Sequence, residues 1–285
     1  MRTNTKMMST GLALAGALVG SLWAGAAKAD DAAITVKGSD TMVILGQRWA
    51  EEYMAKHKGT TVQVTGGGSG TGISALINGT TDVCEASRAM KDTEKKQVQE
   101  KAGGPPVEIT VAKDGLSVFV NGANKVKALT MAQLKDIYTG KVTDWKDVGG
   151  EPGKIIPYSR ENSSGTYVFF KEHVLANADY TPRAQAMPGT AAVVNAVARD
   201  KGAIGYGGGA YATKGIVVIN VKKDAASPAI APSDATVKDG SYPLSRPLFF
   251  YLRPKTSAAI KAFTDWVLSP EGQGIVTKVG YYSIK

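Results

Sequence analysis

The chain has 285 residues, enough for one large domain or two ordinary ones, and a formal net charge of +9. Its basic residues are dispersed and only 7% of its residues are aromatic, which argues against a nucleic-acid surface that stacks bases. Cys84 is the only cysteine, so an intramolecular disulfide is excluded and a buried, hydrophobe-like thiol is expected. His57 and His173 are the only histidines and lie in no ligand-spaced cluster, so we expect no metal and no cofactor.

The first 29 residues have the pattern of a secretion signal. Arg2 and Lys6 give a positive start, residues 11–27 are almost wholly apolar, and small residues precede a cleavage position after Ala29. A membrane-spanning helix is the alternative, but the run is at the short end of the roughly 17–25 residues that such a helix needs. We therefore expect an exported, soluble product. Loss of this segment lowers the Lys+Arg count from 34 to 31, while the Asp+Glu count stays at 25. The remaining chain is mildly basic, and its positive field is suited to attracting small anions.

From residue 33 onward, strand-like and helix-like segments alternate, which predicts an α/β fold with a largely parallel sheet. Three units of strand, Gly/Ser/Thr-rich turn and helix come first. The predicted strands and helices are 34–37 with 42–55, 61–65 with a helical face from Ile73, and 82–86 with 93–101. A β-rich stretch over 107–120, broken at Asp114-Gly115, ends this block.

A second block follows the turn-rich residues 121–124. It opens with a helix over 130–138 that Thr130 is expected to cap. The next predicted elements are a strand at 155–158, helices after Arg160 and over 191–199, a strand at 202–206, a loop over 225–241, an apolar run in 243–252 and a closing helix over 257–268. The second block therefore repeats the organisation of the first.

Four short polar segments stand where a predicted strand gives way to a helix. They are Gly38-Ser39-Asp40-Thr41, Gly66-Gly67-Gly68-Ser69-Gly70-Thr71-Gly72, Ser87-Arg88, and Arg160-Glu161-Asn162-Ser163-Ser164-Gly165-Thr166. Exposed N–H groups at a helix start, hydroxyls and guanidinium groups are the donors that bind a dehydrated oxyanion. Each segment alone is typical of loops, and the second lacks both the P-loop lysine and the last glycine of a nucleophile elbow. Together they predict an anion site in a cleft between the two blocks.

Asp40 is the unexpected member of this set, because a carboxylate repels an oxyanion. Either it caps the helix that follows, or it accepts a proton from the ligand. Hydrogen phosphate carries such a proton and sulfate does not.

The order of the four segments, together with Asp136-Ile137-Tyr138-Thr139-Gly140, Trp145 and Gly202-Ala203-Ile204-Gly205-Tyr206, resembles the PstS family of periplasmic phosphate-binding proteins. The resemblance covers essentially the whole chain after the signal. It implies a type II periplasmic-binding-protein fold, with two α/β lobes joined by crossing segments near 116–121 and 245–251. Lobe I would then comprise 30–120 and 245–285, and lobe II 121–244. It also implies delivery of phosphate to a membrane ABC permease by a binding protein that is not an enzyme, which we expect to be a monomer.

The phosphate contacts of the family fall on nine positions of this sequence. They are Asp40, Thr41, Ser69, Ser87, Arg88, Arg160, Ser164, Gly165 and Thr166. Some family members have an aspartate at the position of Arg88 and use it to accept the phosphate proton, so Asp40 is the candidate for that role here. A receptor for sulfate, molybdate or arsenate remains an alternative. A secreted phosphatase with Ser69 or Ser164 as nucleophile is another, although no base lies in these motifs.

Overall fold

One ladder of strands runs through residues 32–285, the part of the chain that the computed structural model describes. The expected secretion signal lies outside the described residues. The strands are β1 (Ala32–Gly38), β2 (Thr60–Thr65), β3 (Val83–Ala86), β4 (Val107–Asn121), β5 (Ala128–Thr130), β6 (Ile156–Arg160), β7 (Gln185–Met187), β8 (Ala203–Gly208), β9 (Ile216–Lys222) and β10 (Ser245–Leu252).

Helices connect these strands and cover both faces of the ladder. They are α1 (Val43–Lys56), α2 (Ser69–Asn78), α3 (Asp92–Ala102), α4 (Met131–Thr139), α5 (Gly165–His173), α6 (Gly189–Arg199), α7 (Asp234–Lys238), α8 (Ala258–Val267) and α9 (Pro270–Val279). Thr130 caps α4 as expected, since its side chain accepts a hydrogen bond from the backbone N–H of Gln133. Within residues 32–285, no helix has the length and apolar character needed to cross a membrane.

The strands follow the order β2-β1-β3-β10-β4-β8-β6-β7, with β9 paired to β4 and β5 paired to β9. The pairs of β1 with β2 and β3, and of β6 with β7 and β8, are parallel, as the alternation of strands and helices predicts. Both β10 and β4 run antiparallel to their neighbours. The predicted α/β organisation is confirmed.

Strand β4 belongs to two halves of this ladder. Its residues 107–115 pair with β10, and its residues 116–121 pair with β8 and β9. We call β1, β2, β3, β10 and residues 107–115 the first half, and residues 116–121 with β5 to β9 the second half. Each half has its own apolar core: α1, α2, α3, α8 and α9 contribute to the first, and α4, α5, α6 and α7 to the second. The chain therefore crosses between the halves within β4 and just before Ser245.

The structure corrects the predicted elements in four places. Strand β4 is continuous through Asp114-Gly115, because the charge of Asp114 is neutralised within the ladder and not exposed in a turn. Helix α2 begins at Ser69, one turn before the apolar residues that mark it. The loop expected over 225–241 contains the short helix α7. Helix α8 does not end the chain, because Ser269 caps α9 directly after it.

The only cysteine is buried as expected. Cys84 is fully buried beside Ile73 and Leu76 of α2, and burial raises the pKa of its thiol well above the ordinary value. It is a packing residue of the first half.

Glu85, the next residue of β3, is a carboxyl group inside the first half. It pairs with Gly38 of β1 and Phe250 of β10 in the ladder, and its side chain is fully buried. Helix α1 passes so close that a Cβ atom on Gly46 would lie 2.3 Å from Glu85 Oε1. Neither carboxyl oxygen has a hydrogen-bond partner within the described residues. Loss of hydration raises the pKa of Glu85 from 4.5 to about 8.

Replacing Glu85 by glutamine should stabilise the fold increasingly as the pH rises. Between the unfolded pKa of 4.5 and the folded pKa of about 8, the unfolded chain releases a proton that the folded chain retains, so wild-type stability falls. At about 1.4 kcal/mol per pKa unit, we expect the advantage of Glu85→Gln in the free energy of unfolding to grow by about 3 kcal/mol from pH 5 to pH 8.

Urea denaturation at each pH measures this difference. Glu52→Gln removes an exposed carboxyl group of α1 and serves as the control, with no such growth expected. An advantage of Glu85→Gln that is equal at pH 5 and pH 8 would contradict the raised pKa.

Candidate functional site

The starts of three helices converge where the two halves of the ladder meet. Helices α1 and α2 follow β1 and β2 in the first half, and α5 follows β6 in the second. Neither Met42, which precedes α1, nor Gly68, which precedes α2, provides a side-chain cap. Because the first N–H groups of a helix have no partner within it, these starts present donors and a positive dipole end to the space between the halves.

Five hydroxyl groups from both halves form one buried cluster. Ser39 Oγ donates to Ser87 Oγ at 2.8 Å, and the backbone N–H of Ser87 donates to Ser69 Oγ at 3.0 Å. Thr41 Oγ1 and Thr166 Oγ1 share a hydrogen bond of 2.8 Å that crosses from the first half to the second. All five residues are at most 2% exposed. The polypeptide here shields these hydroxyl groups from solvent and holds them within hydrogen-bond distance of one another.

An ion pair between Asp40 and Arg160 lies beside this cluster and also joins the halves. Asp40 Oδ2 accepts from an Arg160 guanidinium N–H at 2.8 Å, and Asp40 Oδ1 accepts from the backbone N–H of Gly67 at 2.8 Å. The side chain of Arg160 is 1% exposed and that of Asp40 is 22% exposed. Of the two roles considered for Asp40, capping of α1 is not observed. The carboxylate points into the site.

Arg160 has further contacts that fix its guanidinium. A second N–H donates to Thr190 Oγ1 at 2.8 Å, whereas Nε is buried with no partner within the described residues. Burial lowers the pKa of Arg160, and the charge of Asp40 opposes that effect. The guanidinium therefore stays a cation with an unused donor in a desolvated position.

The start of α5 packs directly against the start of α2. Ser164 caps α5 by accepting from the backbone N–H groups of Thr166 and Tyr167, which leaves its own O–H as a donor. A Cβ atom on Gly165 would lie 2.3 Å from Ser69 Oγ. The backbone N–H of Gly70 donates to the carbonyl of Ser163 at 2.8 Å. Only glycine at position 165 permits this approach of the two halves.

Arg88 stands apart from the cluster, unlike the other eight residues expected there. Its guanidinium donates twice to the carboxylate of Glu94, at 2.8 and 2.7 Å, and once to the carbonyl of Ala89. The structure thus brings together Asp40, Thr41, Ser69, Ser87, Arg160, Ser164, Gly165 and Thr166. Both terminal nitrogens of Arg88 are bound at the start of α3, whereas its Nε is buried with no partner within the described residues.

Arg246 also contacts the hydroxyl cluster, although the sequence analysis did not identify it as a site residue. Its guanidinium pairs with Asp114, donates to the carbonyl of Ser87 at 3.0 Å and donates to Thr166 Oγ1 at 3.0 Å. Arg246 belongs to β10 and lies directly opposite Asp114 of β4. Two opposite charges within strand-like segments are the signal that could have found this pair, because an isolated charge is rarely buried in a sheet.

Two tyrosines that the sequence analysis also missed hold the turn between β1 and α1. The hydroxyl of Tyr211 donates to the carbonyl of Asp40 at 2.6 Å, and that of Tyr281 donates to the carbonyl of Thr41. Tyr281 is fully enclosed and Tyr211 is partly buried. These contacts fix the turn backbone, so the Asp40 and Thr41 side chains are held in place.

The formal charges of the site cancel: Arg160 and Arg246 are matched by Asp40 and Asp114. Its attraction for an anion therefore comes from hydroxyl and backbone donors and from helix dipoles. Within residues 32–285, no three His, Cys, Asp or Glu side chains are grouped to hold a metal ion. The arrangement fits direct hydrogen bonding of a small oxyanion.

Comparison with known proteins assigns the chain to a family. A model of the PBP superfamily domain matches residues 24–271. The chain is 34% identical over 260 residues to the phosphate-binding protein PstS of Pseudomonas aeruginosa, a match that covers 86% of this chain and 80% of the relative. The chain belongs to the PstS family. The phosphate-binding protein PstS of Staphylococcus epidermidis is 38% identical over 245 residues, which cover 83% of this chain and 74% of that relative.

Solved structures agree with the PstS assignment. A protein of Clostridium perfringens, described as a phosphate ABC transporter substrate-binding protein with bound phosphate, aligns with a TM-score of 0.80 at 30% identity, over 89% of this chain and 100% of that one. An ABC-type phosphate transport receptor of Vibrio cholerae aligns with a TM-score of 0.71 at 29% identity, over 87% and 99%. The expected type II periplasmic-binding-protein fold is confirmed.

Replacing Gly165 by alanine should separate the two halves at the cluster. The new Cβ atom would lie 2.3 Å from Ser69 Oγ and 2.9 Å from Ser87 Oγ, closer than packed atoms allow, so α5 must withdraw from α2. We expect the amide of Gly70, which donates across the halves to Ser163, to exchange its hydrogen at least tenfold faster.

Hydrogen exchange read at single amides tests this expectation. Gly274→Ala in α9 is the matched control, since a Cβ atom there meets nothing within 4 Å. An unchanged rate of hydrogen exchange at Gly70 in the Gly165→Ala variant would show that the start of α5 does not pack tightly against the start of α2.

Proposed function

We propose that this chain binds hydrogen phosphate between its two lobes and delivers it to a membrane ABC permease. The observation that supports the proposal most strongly is the desolvated cluster of hydroxyl groups at the starts of three helices, beside the ion pair of Arg160 with Asp40. The names of its PstS relatives, and the bound phosphate of the C. perfringens protein, agree with this ligand. The proposed contacts are the eight clustered residues, without the guanidinium of Arg88.

The number of donors accounts for useful affinity. A hydrogen bond to a charged group contributes roughly 1.5–3 kcal/mol, and micromolar binding requires only about 8 kcal/mol. The proposed contacts include more donors than this requires, seven in all: Thr41, Ser69, Ser87, Arg160, Ser164, Gly165 and Thr166. The excess offsets dehydration of the anion and closure of the lobes.

Asp40 is the proposed acceptor of the phosphate proton. A carboxylate offers about four acceptor sites, and Gly67 and Arg160 each use one oxygen of Asp40. A further lone pair of Asp40 can accept a hydrogen bond from the P–OH group of hydrogen phosphate. Sulfate has no proton to donate at neutral pH, so the same lone pair would repel it.

The protein captures its ligand without changing it. An open cleft admits the anion, donors from both lobes replace its hydration shell, and a hinge motion at the two crossings closes the site. The lobes are divided near residues 120 and 244.

The two histidines do not favour the alternative of a secreted phosphatase. His57 stacks on Tyr53 and His173 stacks on Phe169, so neither is placed to act as a base for the hydroxyl group of Ser69 or Ser164.

Export completes the proposed function. Cleavage after Ala29 releases a monomeric protein into the periplasm, where it meets both free phosphate and the outer face of the permease.

Replacing Arg160 by alanine should weaken phosphate binding by at least 2 kcal/mol, about 30-fold, because one partner of a buried charged hydrogen bond is removed and Asp40 is left unpaired. Isothermal titration calorimetry with phosphate at neutral pH measures the change. Arg199→Ala removes an exposed arginine at the end of α6 and should leave the affinity within twofold. Equal affinity for Arg160→Ala and wild type would place Arg160 outside the site.

Replacing Asp40 by asparagine should reduce discrimination between phosphate and sulfate. The neutral amide no longer repels a fully ionised oxyanion, so we expect the ratio of sulfate to phosphate dissociation constants to fall at least tenfold. Titrations with both anions at pH 6 and pH 8 give this ratio, with the exposed Asp147→Asn as control. Tight binding of sulfate by the wild-type protein would exclude the proton-acceptor role and favour a general oxyanion receptor.

A further inference from the structure

The ion pair of Arg246 and Asp114 lies at the junction of the two halves. Both side chains are 1% exposed, and Asp114 Oδ2 accepts two hydrogen bonds from the guanidinium, at 3.0 Å from Nε and 2.8 Å from a terminal nitrogen. The two residues are direct partners in the ladder of β10 and β4. Their mutual geometry is therefore fixed by backbone pairing as well as by charge.

Both partners stand next to the points where the chain crosses between halves. Arg246 is the second residue of β10, which begins where the chain returns from the second half. Asp114 precedes Leu116, the first residue of β4 that pairs with β8. Any hinge motion between the halves must change the surroundings of this pair.

The remaining donors of Arg246 reach both halves. One terminal nitrogen donates to the carbonyl of Ser87 in the first half, and the other donates to Thr166 Oγ1 in the second half, each at 3.0 Å. The guanidinium also lies over the ring of Phe169 in α5, 5.1 Å from its centroid. Arg246 thus connects the hinge strands to the turn after β3 and to the start of α5.

The contact to Thr166 limits where the proton of that hydroxyl group can point. A guanidinium only donates, so Thr166 Oγ1 must act as the acceptor in this bond. The single proton of that hydroxyl is then directed to Thr41 Oγ1 at 2.8 Å, to Ser87 Oγ at 3.4 Å or to a bound anion. Arg246 therefore makes Thr166 a donor toward the site.

We propose that Arg246, oriented by Asp114, is a positioning residue that holds the closed arrangement together and directs the Thr166 hydroxyl proton toward the ligand. The inference rests on the proposed binding of phosphate. It adds that the pair of Arg246 and Asp114 couples closure of the lobes to that binding. Asp114 contributes by fixing the guanidinium within β10, and neither residue need touch the anion. The expected consequence is slow release of phosphate once the lobes have closed.

The double variant Asp114→Asn with Arg246→Gln tests this role without leaving a charge stranded in the interior. We expect its phosphate dissociation constant to rise at least tenfold through faster dissociation, with the association rate within threefold of wild type. Calorimetry provides the affinity and the fraction of binding-competent protein, and stopped-flow measurement with inorganic phosphate provides the rates. The exposed pair of Arg48 and Glu51, changed to glutamine at both positions, is the matched control.

A second variant separates positioning from charge balance. Arg246→Lys still neutralises Asp114, but it has one nitrogen in place of the two terminal nitrogens that reach Ser87 and Thr166, so we expect faster dissociation here too. If the double variant fails to fold, this lysine variant decides the question. Wild-type affinity and dissociation rate in either folded variant, at a stoichiometry of one, would overturn the proposal. A lower stoichiometry with unchanged affinity would indicate a structural role alone, which also overturns it.

A readout independent of ligand distinguishes this proposal from the proposed function. The amide of Gly70 donates across the halves, so its hydrogen exchange reports closure. We expect faster exchange at Gly70 in both variants than in wild type. If the wild-type protein bound no phosphate, the proposed function would fail, while faster exchange in the variants would still support Arg246 as the residue that holds the halves together. Exchange equal to wild type would contradict it.

Discussion

The partly buried ion pair between Asp40 and Arg160 is the constraint on which the rest of the site depends. It brings a carboxylate from the turn after β1 within 2.8 Å of a guanidinium at the end of β6, in the other half of the ladder. Removing two charges from water costs several kcal/mol per ion unless each finds its partner and further hydrogen bonds. Gly67 and Thr190 supply those bonds, and Tyr211 holds the turn that carries Asp40. Together these contacts fix Asp40 and Arg160 in the positions that the structure shows.

In the proposed site, hydrogen bonding would select the ligand more than net charge would. The two arginines are matched by two aspartates, so an anion gains little from long-range attraction once it is inside. The favourable free energy of binding would come from hydroxyl groups and helix starts that the fold has already oriented and shielded from water. In such an environment a mismatched group is costly, and a single carboxylate can separate a protonated anion from a fully ionised one.

Local pattern predicted most of the fold and most of the residues that the structure brings together between the two halves. Alternation of strands and helices placed the polar turns at the ends of β1, β2, β3 and β6, where parallel strands bring them together. Asp40 could be singled out from the sequence because a carboxylate repels an oxyanion, so its presence in an anion site has to be explained. Arg246 could not be assigned, since its role depends on the register of β10 against β4, which connects residues more than a hundred positions apart. Arg88 differs from the other eight expected residues for a local reason: Glu94, six residues later, accepts two hydrogen bonds from its guanidinium at the start of α3.

A crystal structure of the protein grown with phosphate tests the central claim most directly. The account predicts one tetrahedral anion enclosed by the hydroxyls of Thr41, Ser69 and Thr166, with Arg160 as a donor and one phosphate oxygen within about 2.7 Å of an Asp40 carboxylate oxygen, the length of a short O–H···O⁻ bond. Phosphate bound elsewhere, or bound in this cluster with Asp40 turned away from it, would contradict the account.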